Sequence, residues 1–380
     1  MSLASLLGLT TRDTGECIIK IGGSEFSEFY QNLQTTTITL KRRDSSEASL
    51  TFSMLRDAQG RWPLAEDPRI RTWAQVEIVV VFGDVEEPFF SGYIREISTD
   101  VPETGSIASV TLNCQDIFAA MDRNCKKVTW DEGRDSLDII REVIAPYGLS
   151  LDTDLSSMPI DNTHQNKTDY RFIREFAEEK KYEWYLRDTS SGLRQLYFGP
   201  PRSTADSSLP KLMIHAGKAT NCLTFNVVYD GYQPDSIRTS TAPLTGAEIE
   251  QNNSVPDLEL FGSQSADSSN SGLDDFSWCL PPGSGNNAEQ ANSNAKGQAN
   301  ARSFKLKASG RLDGTVYGSL LLPGKVVSVG GTGNNNGKWY VDTAVHSFDS
   351  TGYFVNFELI RNAAAGDESS NDEHILAGIL

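Results

Sequence analysis

The sequence is short of the residues that build most reactive sites. Of 380 residues only five are cysteine and four are histidine, and no run of about 18 apolar residues occurs, so no membrane-spanning helix is expected. Cys17, Cys114, Cys125, Cys222 and Cys279 are odd in number, widely spaced and free of any C-x-x-C pair, which argues against a disulfide framework and a zinc site. They are expected to be buried small hydrophobes in a chain made in a reducing cytosol. His164, His215, His346 and His374 stand at no metal-binding spacing, and H-E-x-x-H is missing. His346, in a strand-like segment, reads as structural. Basic residues are scarce too: 34 Lys and Arg against 51 Asp and Glu give a net charge of −17. Phosphate binding needs clustered cations, so nucleic acid is not expected as the main partner, and the acidity reads first as solubility. Residues 1–11 are mildly apolar but lack a basic start and a small-residue cleavage site, so no signal peptide is expected.

Catalytic patterns fail one after another. The segment from Asp152 resembles a calcium loop, but Ser157 stands where glycine is required and Thr163 where glutamate is. Gly331, Gly333 and Gly337 have the wrong spacing for a dinucleotide loop and lead into a strand. Gly324-Lys325 is followed by Val326 rather than Ser or Thr, so it is no P-loop. Ser293 and Lys296 match S-x-x-K without its partner motifs, and G-x-S-x-G is absent. The acidic pairs Glu86-Glu87 and Glu178-Glu179 read as solvated faces. No catalytic, metal or cofactor-binding residue, and no cofactor, is expected.

What the chain does have is β pattern at both ends. Residues 16–21, 35–42 and 48–55 read as strands; in the third, Ala48, Leu50, Phe52 and Met54 alternate with mostly polar neighbours. Residues 73–82 and 89–97 read as a hairpin and 110–114 as another strand, followed by a short helix through Ile117 and Met121. The middle changes period. Asp135 can cap a helix carrying Leu137, Ile140 and Ile144, and Thr168 or Asp169 a second one carrying Phe172 and Phe176. A hairpin follows at 183–187 and 194–198, turning at residues 189–192. Strands are expected again at 222–229 and 236–239. Residues 242–287 read as a long polar loop, partly mobile, unable to form much core alone. Ala288, Ala291, Ala295 and Ala299 then trace a small-faced helix that must pack closely on something. Hairpins from Leu322 to Ile360 close the fold, and an acidic tail ends in His374-Ile375-Leu376-Ala377-Gly378-Ile379-Leu380.

Four segments together carry a family resemblance: Phe89-Phe90-Ser91-Gly92-Tyr93-Ile94; Thr111 to Asp116 with Asp122-Arg123; Thr168 to Ile173 with Tyr182 to Tyr185 and Leu196 to Gly199; and Leu322-Pro323-Gly324 through Asn362. In order and spacing the chain resembles, over about residues 15–362, the late-control gene D family. These are baseplate hub proteins of contractile phage tails and injection systems, related to the N-terminal hub part of type VI secretion VgrG spike proteins. The resemblance implies a mainly β chain with a small α+β module and two β-barrel-like tube domains. The implied division is 1–127 first tube domain, 128–211 α+β module of two helices and a hairpin, 212–362 second tube domain, and 363–380 tail. It also implies a non-enzymatic homotrimer that adapts a hexameric tail tube to a trimeric spike. The implied partners are a tail tube or tube-initiator protein, a separate trimeric spike protein and baseplate wedge proteins. The implied place is the virion or injection-particle baseplate, after synthesis and assembly in the bacterial cytoplasm. Ile375, Leu376, Ile379 and Leu380 are candidates for docking on a partner. Two alternatives stay open: a tail-associated cell-wall hydrolase, or a carbohydrate-binding adhesin using Trp62, Trp73 or Trp130. Residues 89–97 and 341–360 are expected at equivalent places in two similarly folded domains.

Overall fold

The structure, a computed structural model, describes residues 15–364 except 104–106, 132, 158–162, 189–193, 205, 207, 242–249, 268–275 and 282–287. The expected turn at 189–192, the N-terminal segment, His374 and the docking candidates Ile375, Leu376, Ile379 and Leu380 lie outside the described residues.

The first part of the chain is β1 (Gly15–Ile21), β2 (Ser24–Glu25), β3 (Leu33–Lys41), β4 (Glu47–Met54), β5 (Gln75–Phe82), β6 (Val85–Asp100) and β7 (Ala108–Asp116), then the short helix α1 (Ile117–Met121). Period-two alternation decides these strands. β4 buries Ala48, Leu50, Phe52 and Met54, while β5 buries Val76, Ile78, Val80 and Phe82, with partly exposed residues between. Each of these side chains larger than alanine contributes roughly 1.5–3 kcal/mol when taken from water.

The middle module contains β8 (Cys125–Trp130), α2 (Ser136–Ile144), β9 (Leu149–Asp152), β10 (Thr163–Thr168), α3 (Asp169–Lys180), β11 (Glu183–Asp188) and β12 (Arg194–Gly199). Asp135 caps α2 by accepting from the Leu137 N–H, and Thr168 caps α3 by accepting from the Arg171 N–H, as their sequence positions require. This module has its own core, in which Trp130, Ile140, Phe172, Trp184 and Phe198 are buried. Its β8–β10 pair was not expected: β8 buries only Trp130, so it carries almost no hydrophobic period.

The last part is β13 (Leu212–Met213), β14 (Cys222–Tyr229), β15 (Ser236–Thr241), β16 (Glu250–Ser254), β17 (Ser277–Cys279), α4 (Ala288–Arg302), β18 (Leu306–Asp313), α5 (Gly314–Tyr317), β19 (Val326–Gly330), β20 (Gly337–Asp349) and β21 (Gly352–Arg361). The expectation of a long loop at 242–287 is corrected for the described residues of that segment. β16 and β17 flank β15 in a three-stranded sheet, and Phe261 is buried against Phe304 and Tyr340. The alanine stripe of α4 buries Ala291, Ala295 and Ala299, the latter two beside Ile237 of β15. Gly297 explains how close α4 comes to α3: a Cβ there would lie 2.6 Å from the Lys180 carbonyl oxygen. The cysteine expectation is also corrected in part, since Cys125 and Cys279 are exposed.

The chain is mainly β with a small α+β module, as expected, and its two strand-rich halves show no closed barrel among the described residues. Among the described residues they form one 13-stranded sheet in the order β14-β18-β21-β20-β3-β4-β7-β6-β5-β1-β2, with β19 also on β20 and β13 on β19. The order repeats internally. The run β3-β4-β7-β6-β5 of the first half recurs as β14-β18-β21-β20-β19, all antiparallel. Irregularities recur in step. β6 bulges at Arg95 against β7 and β20 at Asp342 against β21; β3 breaks register between Leu33 and Thr35, and β14 between Cys222 and Thr224. β6, holding residues 89–97, thus occupies the place of β20, and β7 that of β21. The outermost strands differ, since β1 runs antiparallel to β5 whereas β13 runs parallel to β19.

Candidate assembly surface

The residues singled out for chemistry are dispersed. Asp152 and Asp154 are both clamped by Arg202, with N···O distances of 2.9 and 2.7 Å, and Arg202 lies 4.3 Å from the Tyr197 ring centroid. Ser293 accepts from the Lys180 ammonium at 3.1 Å, and Lys296 pairs with Asp257 at 3.0 Å. His164 is exposed beside Thr129. Trp130 is core, stacked on Phe172, while Trp62 and Trp73 lie under Arg56 and Arg123. No group of three or more His, Cys, Asp or Glu able to hold a metal ion occurs among the described residues. Nor is any helix there long and apolar enough to cross a membrane.

One cleft of about 390 Å³ has two carboxylates, Asp116 and Asp188, among its lining residues, together with Arg187 and Lys325. Burial pushes the Asp116 carboxyl up to about 7, with three hydrogen bonds pulling the other way. Those bonds define its role. Asp116 accepts from the Ser45 hydroxyl (2.7 Å), the Ser46 N–H (2.6 Å) and the Phe118 N–H (3.0 Å), so it ties the β3–β4 turn to the start of α1. Asp188 is raised by burial and pulled back by Arg194.

The strongest polar constellation lies where the three parts of the chain meet. Arg42, just past β3, donates to Glu183 of the middle module and to Asp342 of β20. Arg43 joins it, donating to Glu183 at 2.8 Å and to the Lys181 carbonyl at 3.1 Å. The Glu183 side chain is fully buried and that of Arg42 is 9% exposed. Arg42 also lies 5.4 Å from the Tyr340 ring centroid. Sequence reading missed this site because its members are 141 and 300 residues from Arg42. The one local signal was a buried-type strand end followed by two arginines.

The apolar half of the same junction centres on His346 of β20. It is fully buried, its Nε2 donates to the Leu321 carbonyl at 3.0 Å, and its Nδ1 accepts from the Tyr353 hydroxyl at 2.8 Å. A carbonyl can only accept, which fixes this tautomer. Phe89 of β6 meets the imidazole edge-on at 4.5 Å. His346 is therefore a neutral structural group joining the two halves. Burial holds its pKa down at about 3, the Leu321 carbonyl opposing.

Exposed apolar side chains mark the sheet's free edges. Leu223 and Val228 of β14 are 54% and 62% exposed, and Val101, just past β6, is 55% exposed. β14 has β18 on one side and no strand on the other among the described residues. A free edge of this kind is a template for pairing with another chain.

No family model matches the sequence, and no curated protein matches it. Solved structures do. The 43 kDa tail protein of prophage MuSo2 from Shewanella oneidensis aligns over 92% of this chain and 99% of its own, with TM-score 0.67 and 14% identity. The tail protein from Neisseria meningitidis MC58 aligns over 94% and 99%, with TM-score 0.64 and 12% identity. The fold is that of phage tail proteins. The c3393 protein of E. coli, a component of the type VI secretion system with structural similarity to the T4 tail proteins gp27 and gp5, aligns over 93% of this chain and 79% of its own, with TM-score 0.55 and 10% identity.

Two predictions follow from the junction. Glu183→Ala leaves Arg42 buried without its main partner and should cost roughly 3–5 kcal/mol by denaturant unfolding, whereas Asp342→Ala, at a site 29% exposed, should cost clearly less. Equal and small losses would contradict the assigned role. For His346, the folded state keeps the ring neutral below pH 6.5 while the unfolded chain takes up a proton. Its contribution is therefore complete above about 6.5 and lost as pH falls toward about 3, at up to about 1.4 kcal/mol per pH unit. His346→Gln should make stability between pH 6 and 4 less steep by about one proton; an unchanged slope would refute this.

Proposed function

We propose that the chain is a structural hub subunit in the baseplate of a contractile phage tail or a related injection system. Three copies form a ring that presents a near-six-fold face to the tail tube and a three-fold face to the spike. The observation that carries this reading is the repeated strand order: each copy supplies two similar sheet units already joined edge to edge, so three copies supply six. The tail-protein fold supports it, and so does the buried polar economy, in which the charged groups of the junction and of the Arg202 clamp are spent on one another.

In this reading residues 1–127 and 212–362 are the two tube units and 128–211 the module that braces them. Residues 363–380 are a tail whose Ile375, Leu376, Ile379 and Leu380 dock on a partner. The partners are a tail tube or tube-initiator protein above, a trimeric spike below, and wedge proteins around the ring. The ring works by holding two symmetries in register while the sheath contracts, which requires stiffness and no cofactor.

The mass of the purified chain in solution tests this directly. A species of three times 41.7 kDa, which also retains tube and spike proteins on co-purification, is expected. A monomer at every concentration that binds neither would overturn the reading.

A further inference from the structure

Within one copy the two repeats are joined by a seam: β20 of the second lies antiparallel against β3 of the first, pairing Ala344 with Leu40, Val345 with Thr39, His346 with Ile38 and Phe348 with Thr36. The strand equivalent to β20 is β6, and the strand equivalent to β3 is β14. Their registers fix the correspondence residue by residue. Tyr93 is the last β6 residue on β5, as Tyr340 is the last β20 residue on β19, and the bulges at Arg95 and Asp342 follow each by two positions. The breaks in β3 and β14 place Thr36 with Phe225, Ile38 with Val227 and Leu40 with Tyr229.

Where β20 passes Asp342, its edge is taken by β3. Where β6 passes Arg95, the equivalent edge has no strand on it among the described residues, and neither has the outer edge of β14. The two halves of a second seam are thus present on every copy, at sites β20 and β3 show to be compatible.

We infer that the residues 96–101 edge of β6 pairs antiparallel with β14 of a second copy of this chain, in the register of the internal seam: Ile97 opposite Tyr229, Ser98 opposite Val228, Thr99 opposite Val227, Asp100 opposite Asn226 and Val101 opposite Phe225. The inference rests on the ring reading above and specifies its interface.

Side-chain chemistry agrees with this register. Ile97, Thr99 and Val101 continue the core face of β6, while Phe225, Val227 and Tyr229 continue that of β14. Ile97, Phe225 and Val227 are already half packed on the main core. Pairing covers the row that one copy leaves open and shields Val101 and Val228, 55% and 62% exposed. Charge differs between the seams. In the internal seam the bulged acid Asp342 meets Arg42 past the end of β3. In the second seam Gly231 holds the place of Arg42, and Glu96 stands opposite Asp230, two like charges that the bulged base Arg95 beside Glu96 offsets.

Directly opposed strand residues have Cα atoms within disulfide range, so paired cysteines read the register. In a full-length background with C125S and C279S, the double variant S98C/V228C should form covalent dimers and trimers on mild oxidation. Each single variant should not. T39C/V345C, the equivalent pair of the internal seam, should cross-link within one chain and stay at monomer mass. If the variants are trimeric by mass but S98C/V228C does not link, or if S98C/N226C links in its place, the seam is overturned while the ring reading stands. If the chain is monomeric and unlinked, both fall.

Discussion

An unpaired strand edge leaves a row of N–H and C=O groups seeking partners, and β3 would be such an edge were β20 not lying against it. That pairing turns two strand sets from distant parts of the sequence into one sheet. Around it the chain concentrates its buried charge: Arg42 leaves the end of β3 and reaches both Asp342 on β20 and Glu183 in the middle module. A buried ion pair of this kind is close to neutral against a well-packed apolar substitute but strongly unfavourable when half removed. It therefore specifies which three parts meet more than it adds to stability. On the apolar side, His346 does related work with uncharged groups, binding Leu321 and Tyr353 while Phe89 packs on its edge.

The two repeats reach the same frame by different packing. Leu50 of β4 faces Leu112 of β7. At the equivalent place in the second repeat Gly310 of β18 faces Phe357 of β21, and a Cβ on Gly310 would lie 2.5 Å from that ring. A small residue is matched by a large one, so core volume is kept while sequence similarity is erased. The buried polar ends diverge likewise: Asp116 caps α1 at the end of β7, and Arg361 at the end of β21 donates to the Asn336 carbonyl at 2.7 Å. Such exchanges are why two copies of one strand order show only a shared texture of hairpins, glycines and aromatics in the sequence.

The strands with full alternation and the capped helices were legible from residues alone, because β4, β5, α2 and α3 carry strong local periods and caps. β18 was not. Its inward residues are Leu306, Ala308, Gly310 and Leu312, between Lys307, Ser309 and Arg311, so small residues blunt its hydrophobic period at the centre although it lies inside the sheet. The polar segment hid β16 and β17 because β16 is polar and mostly exposed, and β17 offers only Trp278 to the small cluster around Ile237. The junction was invisible for a different reason: Arg42, Glu183 and Asp342 are ordinary charged residues until the fold brings them together. The resemblance drawn from four short motifs led toward the tail-protein fold, and the structure adds that one continuous sheet runs through both halves.

The account stands on the claim that each copy contributes two equivalent sheet units to a closed ring. Electron microscopy of the purified assembly tests this most directly. A three-fold ring with six similar lobes and sheet density continuous from lobe to lobe is the predicted result; particles without a ring, or rings of three lobes separated by gaps in the sheet, would contradict it.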